Sequence, residues 1–399
     1  MTIYPELEMT LPGPLNPPNR LLLGPGPSDA HPRVLRAMAA PLVGHLDPSF
    51  LIIMAETQEM LRLAYRTKNP ITFPISATGM AGMEACVVNL IEPGDKMVAC
   101  VNGFFGQRMT DVAGRAGAAV TVLEQAWGDV FDLDRIRDTL KKARPKVLGI
   151  VQAETSTGAW QPLEGLGALC REFDTLLLVD AVTSLGCVPL EVDAWGLDAV
   201  YSCSQKGLSC PPGLSPVTFS PRAAEAISRR KTKVQSWYFD LTMLSHYWDQ
   251  EHIYHHTAPI SMTYALREGL CILHEEGLEA RWARHMRNHR ALKAGLNALG
   301  LQYTAAEGRQ LPQLNAVRIP PGVDDAAVRQ RLLREFGIEI GSSLGDLKGK
   351  AWRIGLMGHN SRPNCVLLFL AALEQCLIGH GAKVAPGAGV AAANAFYAT

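Results

Sequence analysis

The chain has no net charge and no long apolar run, and each absence removes a class of partner. Its 399 residues carry 38 Lys plus Arg against 38 Asp plus Glu, so no overall field draws it to nucleic acid or to an anionic membrane surface. No apolar stretch approaches the ~20 residues needed to span a bilayer. The opening residues, MTIYPELEMTLPGP, include Glu6 and Glu8 and have neither a basic start nor an apolar core, so a secretory signal is not expected. The final FYAT matches no peroxisomal tripeptide. The nine cysteines form no CxxC pair and follow no regular spacing, which reads as reduced thiols in a cytosol. The expectation is a cytoplasmic protein whose partners are small molecules, with no nucleic acid and no membrane.

A composition of 47% hydrophobic and 19% charged residues is that of a globular chain, and its length suits two domains sharing one body. Residues 1–20 hold five prolines and predict an extended arm of the kind that lies on a partner subunit. From residue 21 to about 264, short apolar runs alternate with longer amphipathic ones: KMVACV, AAVTVLE, KVLGIVQ, TLLLVDAV, DAVYSCSQ and SPVTFS. Continuous apolar strands with intervening helices predict a mainly parallel sheet buried on both faces. From about 265 to 382 the pattern changes to a long helical stretch, Met262 to Leu299, then short strands and helices around NAVRIP, IEIGSS and WRIGLM. These predict a smaller α+β domain. The Gly- and Ala-rich residues 383–399 read as a loose tail.

Three local signals carry chemistry. TLLLVDAVTSLG is a buried strand ending in Asp180, and ligands bind at that end of the strands in open α/β sheets. A carboxylate there is costly to desolvate and calls for a cationic partner. Val182 projects from the same side. Taken alone, Asp180 reads equally well as a helix cap. DAVYSCSQ then leads into Lys206, whose amine, once desolvated, loses its proton and attacks aldehydes; a solvated loop lysine is the plainer reading. In ISATGMAGMEACVVNL, small residues at a helix start expose N–H groups that suit a phosphate, although an ordinary N-cap looks the same. A phosphorylated aldehyde needs all three together. Pyridoxal phosphate meets that description: its ring nitrogen stays protonated beside a carboxylate, and a lysine both holds the aldehyde and moves the substrate's α-proton.

VDAVTSLG followed by YSCSQKGLSCPPG closely resembles the class V, fold-type I aminotransferases, and most of all their alanine-glyoxylate (serine-pyruvate) branch. LLLGPGPSDAHPRVL, NGFFGQR, ETSTGAWQPL, SRRKTKVQSWYFDL, YHHTAP and WRIGLMG continue the resemblance in order over nearly the whole chain. It implies an α/β fold-type I architecture with a seven-stranded-type sheet, a smaller C-terminal domain, and pyridoxal 5'-phosphate as cofactor. Within SATGM it implies that Thr78, Gly79 and Met80 hold the phosphate, with Gln205 assisting beside Lys206. Phe105 takes the place of the aromatic that stacks on the pyridine ring, and offset stacking remains open to it. Thr155 stands near the phenolic oxygen. Tyr254 and Thr257 reach the phosphate of a neighbouring subunit, which implies a homodimer with shared sites. Arg353 reads the substrate carboxylate through its planar guanidinium. Met80 and Phe105 depart from the His and Trp common in this branch, which predicts altered cofactor affinity.

Other signals yield less. His252, His255 and His256 lack the further ligands of a tetrahedral metal set, so no metal is expected. The basic run from Arg229 to Lys233 is short and reads as a helix end or dimer contact. Gly24 and Gly26 do not form a dinucleotide fingerprint and read as a tight loop near the substrate. The expected reaction is transfer of an amino group from L-alanine or L-serine to glyoxylate, in ping-pong fashion. Alternatives are a serine-pyruvate or 2-aminoethylphosphonate type of transaminase, a desulfurase, or a noncatalytic cofactor-binding protein. Cys365 and Cys376 on an apolar helix argue against the desulfurase, and the joint presence of Lys206, Asp180 and Arg353 argues against the binder.

Overall fold

The computed structural model describes residues 13–399; the part of the proline-rich arm before residue 13 lies outside them. At its centre is a seven-stranded sheet in the order Ile71–Ile75, Ser215–Phe219, Ala199–Tyr201, Leu176–Asp180, Val147–Val151, Lys96–Val101, Ala119–Glu124. Ser215–Phe219 alone runs opposite in direction to the other six strands.

Successive strand residues point to opposite faces, and both faces are covered. Val98, Cys100, Leu148, Ile150, Leu177, Val179 and Val200 enter one apolar core. Their neighbours Met97, Val147, Val151, Leu176, Leu178, Ala199 and Tyr201 enter the other. Two-sided burial is why these strands read as unbroken apolar runs.

The smaller unit has its own core. A three-stranded antiparallel sheet, ordered Leu314–Arg318, Ala351–Gly355, Gly341–Ser342, packs Trp352 and Ile354 against Leu292, Leu296, Phe369 and Leu373 of the helices Leu278–Ala298 and Pro363–Gly379.

Four expectations need correction. The long helical stretch is two helices, Ile260–Glu276 and Leu278–Ala298, because Gly277 takes φ +82° between them, a left-handed conformation open to glycine. Leu21–Leu22 pair in parallel with Ile338–Glu339, and Leu23 is buried in the small domain's core, so the segment assigned to the start of the large domain packs on the small one. The tail is not loose over its length: Ala388–Tyr397 is a helix. Its alanines favour helix, and the Glu374 carboxylate accepts the otherwise unpaired N–H groups of Gly387 and Gly389 at 2.6 and 3.3 Å. Finally, the strand expected to run directly into Lys206 ends at Tyr201. Ser202 and Ser204 still donate their N–H groups to Pro216 and Leu214, but Cys210 closes back onto the Ser204 carbonyl, which puts the lysine inside a closed loop. The edge strand Ile71–Ile75 had no distinct mark in the sequence.

Candidate active site

Asp180 ends its strand in register with Tyr201 on one neighbour and Val151 on the other. Its carboxylate is buried and accepts the Val182 N–H at 2.8 Å and the Tyr201 hydroxyl at 2.7 Å. Burial pushes this carboxyl up to about 6, against the two donors and the Lys206 charge. Among the described residues no Lys, Arg or His lies within ion-pair distance of it, and Lys206 acts on it only from farther off, although a buried carboxylate calls for a close cation.

Lys206 lies in the turn beyond Tyr201 and is buried. Its Nζ donates to the Pro25 carbonyl at 2.6 Å, and burial lowers its pKa. The loop that carries it is strapped by the segment before the first helix: Ser28 donates its N–H to the Gln205 carbonyl at 2.9 Å and its hydroxyl to the Lys206 carbonyl at 2.8 Å. Gly26, at φ +120°, lies flat against the lysine; a Cβ there would stand 3.3 Å from Lys206 Cε and 3.4 Å from Nζ. Gln205 has its Oε1 shut away from solvent with no protein partner.

Thr78 is the N-cap of the helix Gly79–Leu90 and makes no side-chain cap bond, which leaves the first N–H groups of that helix open. The helix start sits hard against the segment between Tyr201 and the lysine. A Cβ on Gly79 would lie 2.9 Å from Cys203 Cβ and 3.5 Å from Val182 Cγ2. Met80, Phe105 and Val182 are half-buried around the same apolar core. Phe105 is the second residue of the helix Phe104–Arg115, and Arg108 lies 5.8 Å from its ring centre.

Arg353, on the strand Ala351–Gly355, is 7% exposed and donates Nε to the Ser342 carbonyl at 2.9 Å. Burial brings it down to about 10, with Glu154 opposing. Thr155 is buried and shares a 2.7 Å hydrogen bond with Thr183. Tyr254 and Thr257 are exposed, and Tyr254 meets only the His45 ring, at 5.3 Å, among aromatic neighbours. A single chain therefore joins Asp180 to Val182, Val182 to Gly79 and Gly26 to Lys206, while Tyr254 and Thr257 are exposed.

Glu154 was missed in the sequence although it stands next to Thr155. It is fully buried and accepts the N–H groups of Phe105 and Gly106 at 3.1 and 3.3 Å, as well as the Ser156 N–H and hydroxyl at 3.0 and 2.6 Å. A Cβ on Gly103 would fall 2.3 Å from its Cγ, so glycine at that helix start is what admits the carboxylate. Burial raises its pKa, and its charge favours the protonated forms of both Lys206 and Arg353. Tyr201 was also missed, because an aromatic inside a strand reads as core.

The residues between 25 and 351 match the family model for aminotransferase class V. The chain belongs to this family. It is 43% identical over 398 residues to the (S)-ureidoglycine–glyoxylate transaminase of Bacillus subtilis, covering 95% of this chain and 96% of that one. To the alanine–glyoxylate aminotransferase of Callithrix jacchus it is 41% identical over 368 residues, covering 91% and 89%. Among solved structures, an alanine–glyoxylate aminotransferase from Nostoc sp. superposes with a TM-score of 0.92 at 53% identity, over 94% of this chain and all of that one. Class V aminotransferases depend on pyridoxal phosphate, and this chain is an aminotransferase of that kind with a fold-type I architecture. Its buried Asp180 without a cationic partner, its desolvated Lys206 and its uncapped helix start at Thr78 fit a cofactor that brings a pyridinium, an aldehyde and a phosphate.

Proposed function

We propose that this aminotransferase uses glyoxylate as amino acceptor and a small amino acid, L-alanine or L-serine, as donor. The observation that carries the acceptor is the shared word in the names of its relatives: those at 41 and 43% identity, and the Nostoc structure at 53%, are all glyoxylate transaminases. The site supports a small substrate. One buried guanidinium, Arg353, is offered for one carboxylate, and Gly26 and the Pro25 carbonyl press directly on Lys206, which leaves little room for a long side chain.

Pyridoxal phosphate supplies an aldehyde that takes up amino groups and a ring that draws electrons from the substrate's Cα. Lys206 is the amine that would hold that aldehyde, and its lowered basicity frees it to take the α-proton and return it. Asp180, steadied by Tyr201 and Val182, would keep the ring nitrogen protonated. Thr78, Gly79 and Met80 would seat the phosphate with Gln205, Thr155 would face the phenolic oxygen, and Phe105 would cover the ring. Arg353 would take the substrate carboxylate as a bidentate partner. The exposed Tyr254 and Thr257 fit a role at a neighbour's phosphate, so the working unit is read as a homodimer; the nine free cysteines fit a reducing, cytoplasmic setting.

A second donor has its own support. The 43% relative and a structure at 44% identity with a TM-score of 0.95 are ureidoglycine–glyoxylate transaminases. The deciding experiment gives purified holoenzyme glyoxylate with L-alanine, L-serine or (S)-ureidoglycine in turn and follows glycine. Glycine with alanine or serine supports the proposal, glycine with ureidoglycine alone transfers the assignment to that donor, and no glycine with any of the three removes glyoxylate as acceptor.

A further inference from the structure

The helix Phe104–Arg115 begins at Gly103, which has no side chain to cap it. The first N–H groups of a helix have no partner within it, and here three of them are met by one turn from far along the chain. Phe104 donates its N–H to Ser156 Oγ at 3.0 Å, and Phe105 and Gly106 donate theirs to Glu154 Oε2 at 3.1 and 3.3 Å. The other carboxylate oxygen accepts the N–H and hydroxyl of Ser156 at 3.0 and 2.6 Å. Donors alone meet the two oxygens, an arrangement that suits a carboxylate and would leave a carboxyl O–H with nothing to bond. Burial opposes the charge, whereas these donors and the helix start favour it.

The same turn reaches the small domain. The Ser156 carbonyl accepts the hydroxyl of buried Ser343 at 2.5 Å, and Ser343 donates its N–H to the Ala351 carbonyl at 2.9 Å. Its neighbour Ser342 receives Arg353 Nε on its carbonyl at 2.9 Å. A continuous path of hydrogen bonds and adjacent residues therefore runs from Phe105 through Glu154, Ser156, Ser343 and Ser342 to Arg353. Thr155, between Glu154 and Ser156, is pinned from both sides. A helix cap would account for the bonds to Phe105 and Gly106 but not for the grip on Ser156, whose N–H and hydroxyl are both held so that its carbonyl stands where Ser343 meets it.

We propose that Glu154 is a positioning residue for transamination, fixing Phe105 and Thr155 on the cofactor side and, through Ser156 and Ser343, the loop that aims Arg353. The inference rests on the roles proposed above for those three residues. Phe105 belongs to the large domain and Arg353 to the small one, so the placing of a substrate carboxylate relative to the ring depends on a link across the two. A substrate held at the wrong angle presents its α-proton away from Lys206, and small misplacements of this kind cost rate steeply.

The test uses purified holoenzyme and reads the cofactor's dissociation constant, the circular dichroism of the bound cofactor, and KM for L-alanine and glyoxylate. Ser343→Ala cuts only the link to the small domain. It should leave both cofactor readings at their wild-type values and raise both KM values about fivefold, as loss of one hydrogen bond would. Combined with Arg353→Ala it should add nothing, since the group it positions is gone. Glu154→Gln keeps the shape but sets an amide NH2 against N–H and O–H donors. It should weaken cofactor binding about tenfold and change the dichroism, and its further effect on KM should vanish beside Arg353→Ala while the cofactor effect stays. Wild-type KM in Ser343→Ala overturns the proposal. So does a KM effect of Ser343→Ala that persists in full beside Arg353→Ala, which would mark a general loss of packing, and so does wild-type cofactor binding and dichroism in Glu154→Gln. Should Glu154→Gln not fold, Ser343→Ala and its double variant decide. A wild-type chain that takes up no pyridoxal phosphate, or an Arg353→Ala with unchanged KM, would overturn the roles proposed above and this inference with them.

Discussion

Tyr201 and Asp180 face each other in register on adjacent parallel strands, and the tyrosine hydroxyl donates to Asp180 Oδ2 at 2.7 Å. Both groups are buried. The bond fixes where the carboxylate points but brings no positive charge, so the negative charge of Asp180 is only partly offset within the chain. In the proposed role of Asp180 a protonated ring nitrogen would complete the pairing, and cofactor binding and the ionisation of Asp180 would then be one coupled event.

That coupling predicts a pH-dependent stability. The Asp180 pKa rises from 3.8 to about 6 on folding, so the folded cofactor-free protein holds this proton more tightly than the unfolded chain. The stability it contributes is full below about pH 4 and is lost as pH climbs through about 6; at ~1.4 kcal/mol per unit the loss is on the order of 3 kcal/mol. Cofactor-free Asp180→Asn should therefore exceed the wild type in stability at pH 7.5, with the gap closing towards pH 4. Denaturant unfolding across that range checks it, and a gap that ignores pH would refute the account. Added pyridoxal phosphate should stabilise the wild type far more than the variant.

Gly26→Ala places a methyl 3.3 to 3.4 Å from Lys206 at a backbone φ of +120°. The backbone strain costs about 1 to 2 kcal/mol, and the lysine is pushed from the Pro25 carbonyl. Activity should fall at least tenfold while secondary structure persists. Comparing kcat and the unfolding midpoint separates the two effects, and wild-type kcat would refute the contact.

Arg353→Ala removes the proposed carboxylate partner. The expected loss is about 2 to 4 kcal/mol of substrate binding, seen mainly as a rise in KM for both amino donor and oxo-acid acceptor. An amine lacking a carboxylate should be affected little. Equal effects on both kinds of substrate would place the arginine elsewhere.

Deleting residues 387–399 removes the Ala388–Tyr397 helix, the buried Ala393 and the Tyr397 hydroxyl bond to Asn288 at 2.7 Å. It also strips Glu374 of both N–H donors. A loss of roughly 2 to 5 kcal/mol is expected from exposing that face and stranding a carboxylate. Thermal unfolding should start in the small domain, and an unchanged midpoint would show the tail to be dispensable.

Much of this molecule was legible from the chain alone. Strands such as Leu176–Asp180 announce themselves because burial on both faces demands an unbroken apolar run, and Asp180 stands out because it ends one. Lys206 is legible by its place after the next such run, although the turn that carries it is not. The Ala-rich tail misled because composition gives no sign of a docking surface, whereas Gly295 and Gly389 let two helices touch, with a Gly295 Cβ position 2.8 Å from the Gly389 carbonyl.

Local order along the chain thus settled the architecture and marked Asp180 and Lys206 as candidates, since period and strand ends depend on near neighbours, while the reaction class came with the resemblance to a family. Which groups surround them was settled by packing. Glu154 under Gly103, Tyr201 against Asp180, Pro25 on Lys206 and Ser342 on Arg353 each join atoms whose proximity depends on how strands, helices and loops come together. Their ionisation follows from that proximity, because the cost of burying a charge depends on the atoms that replace its water.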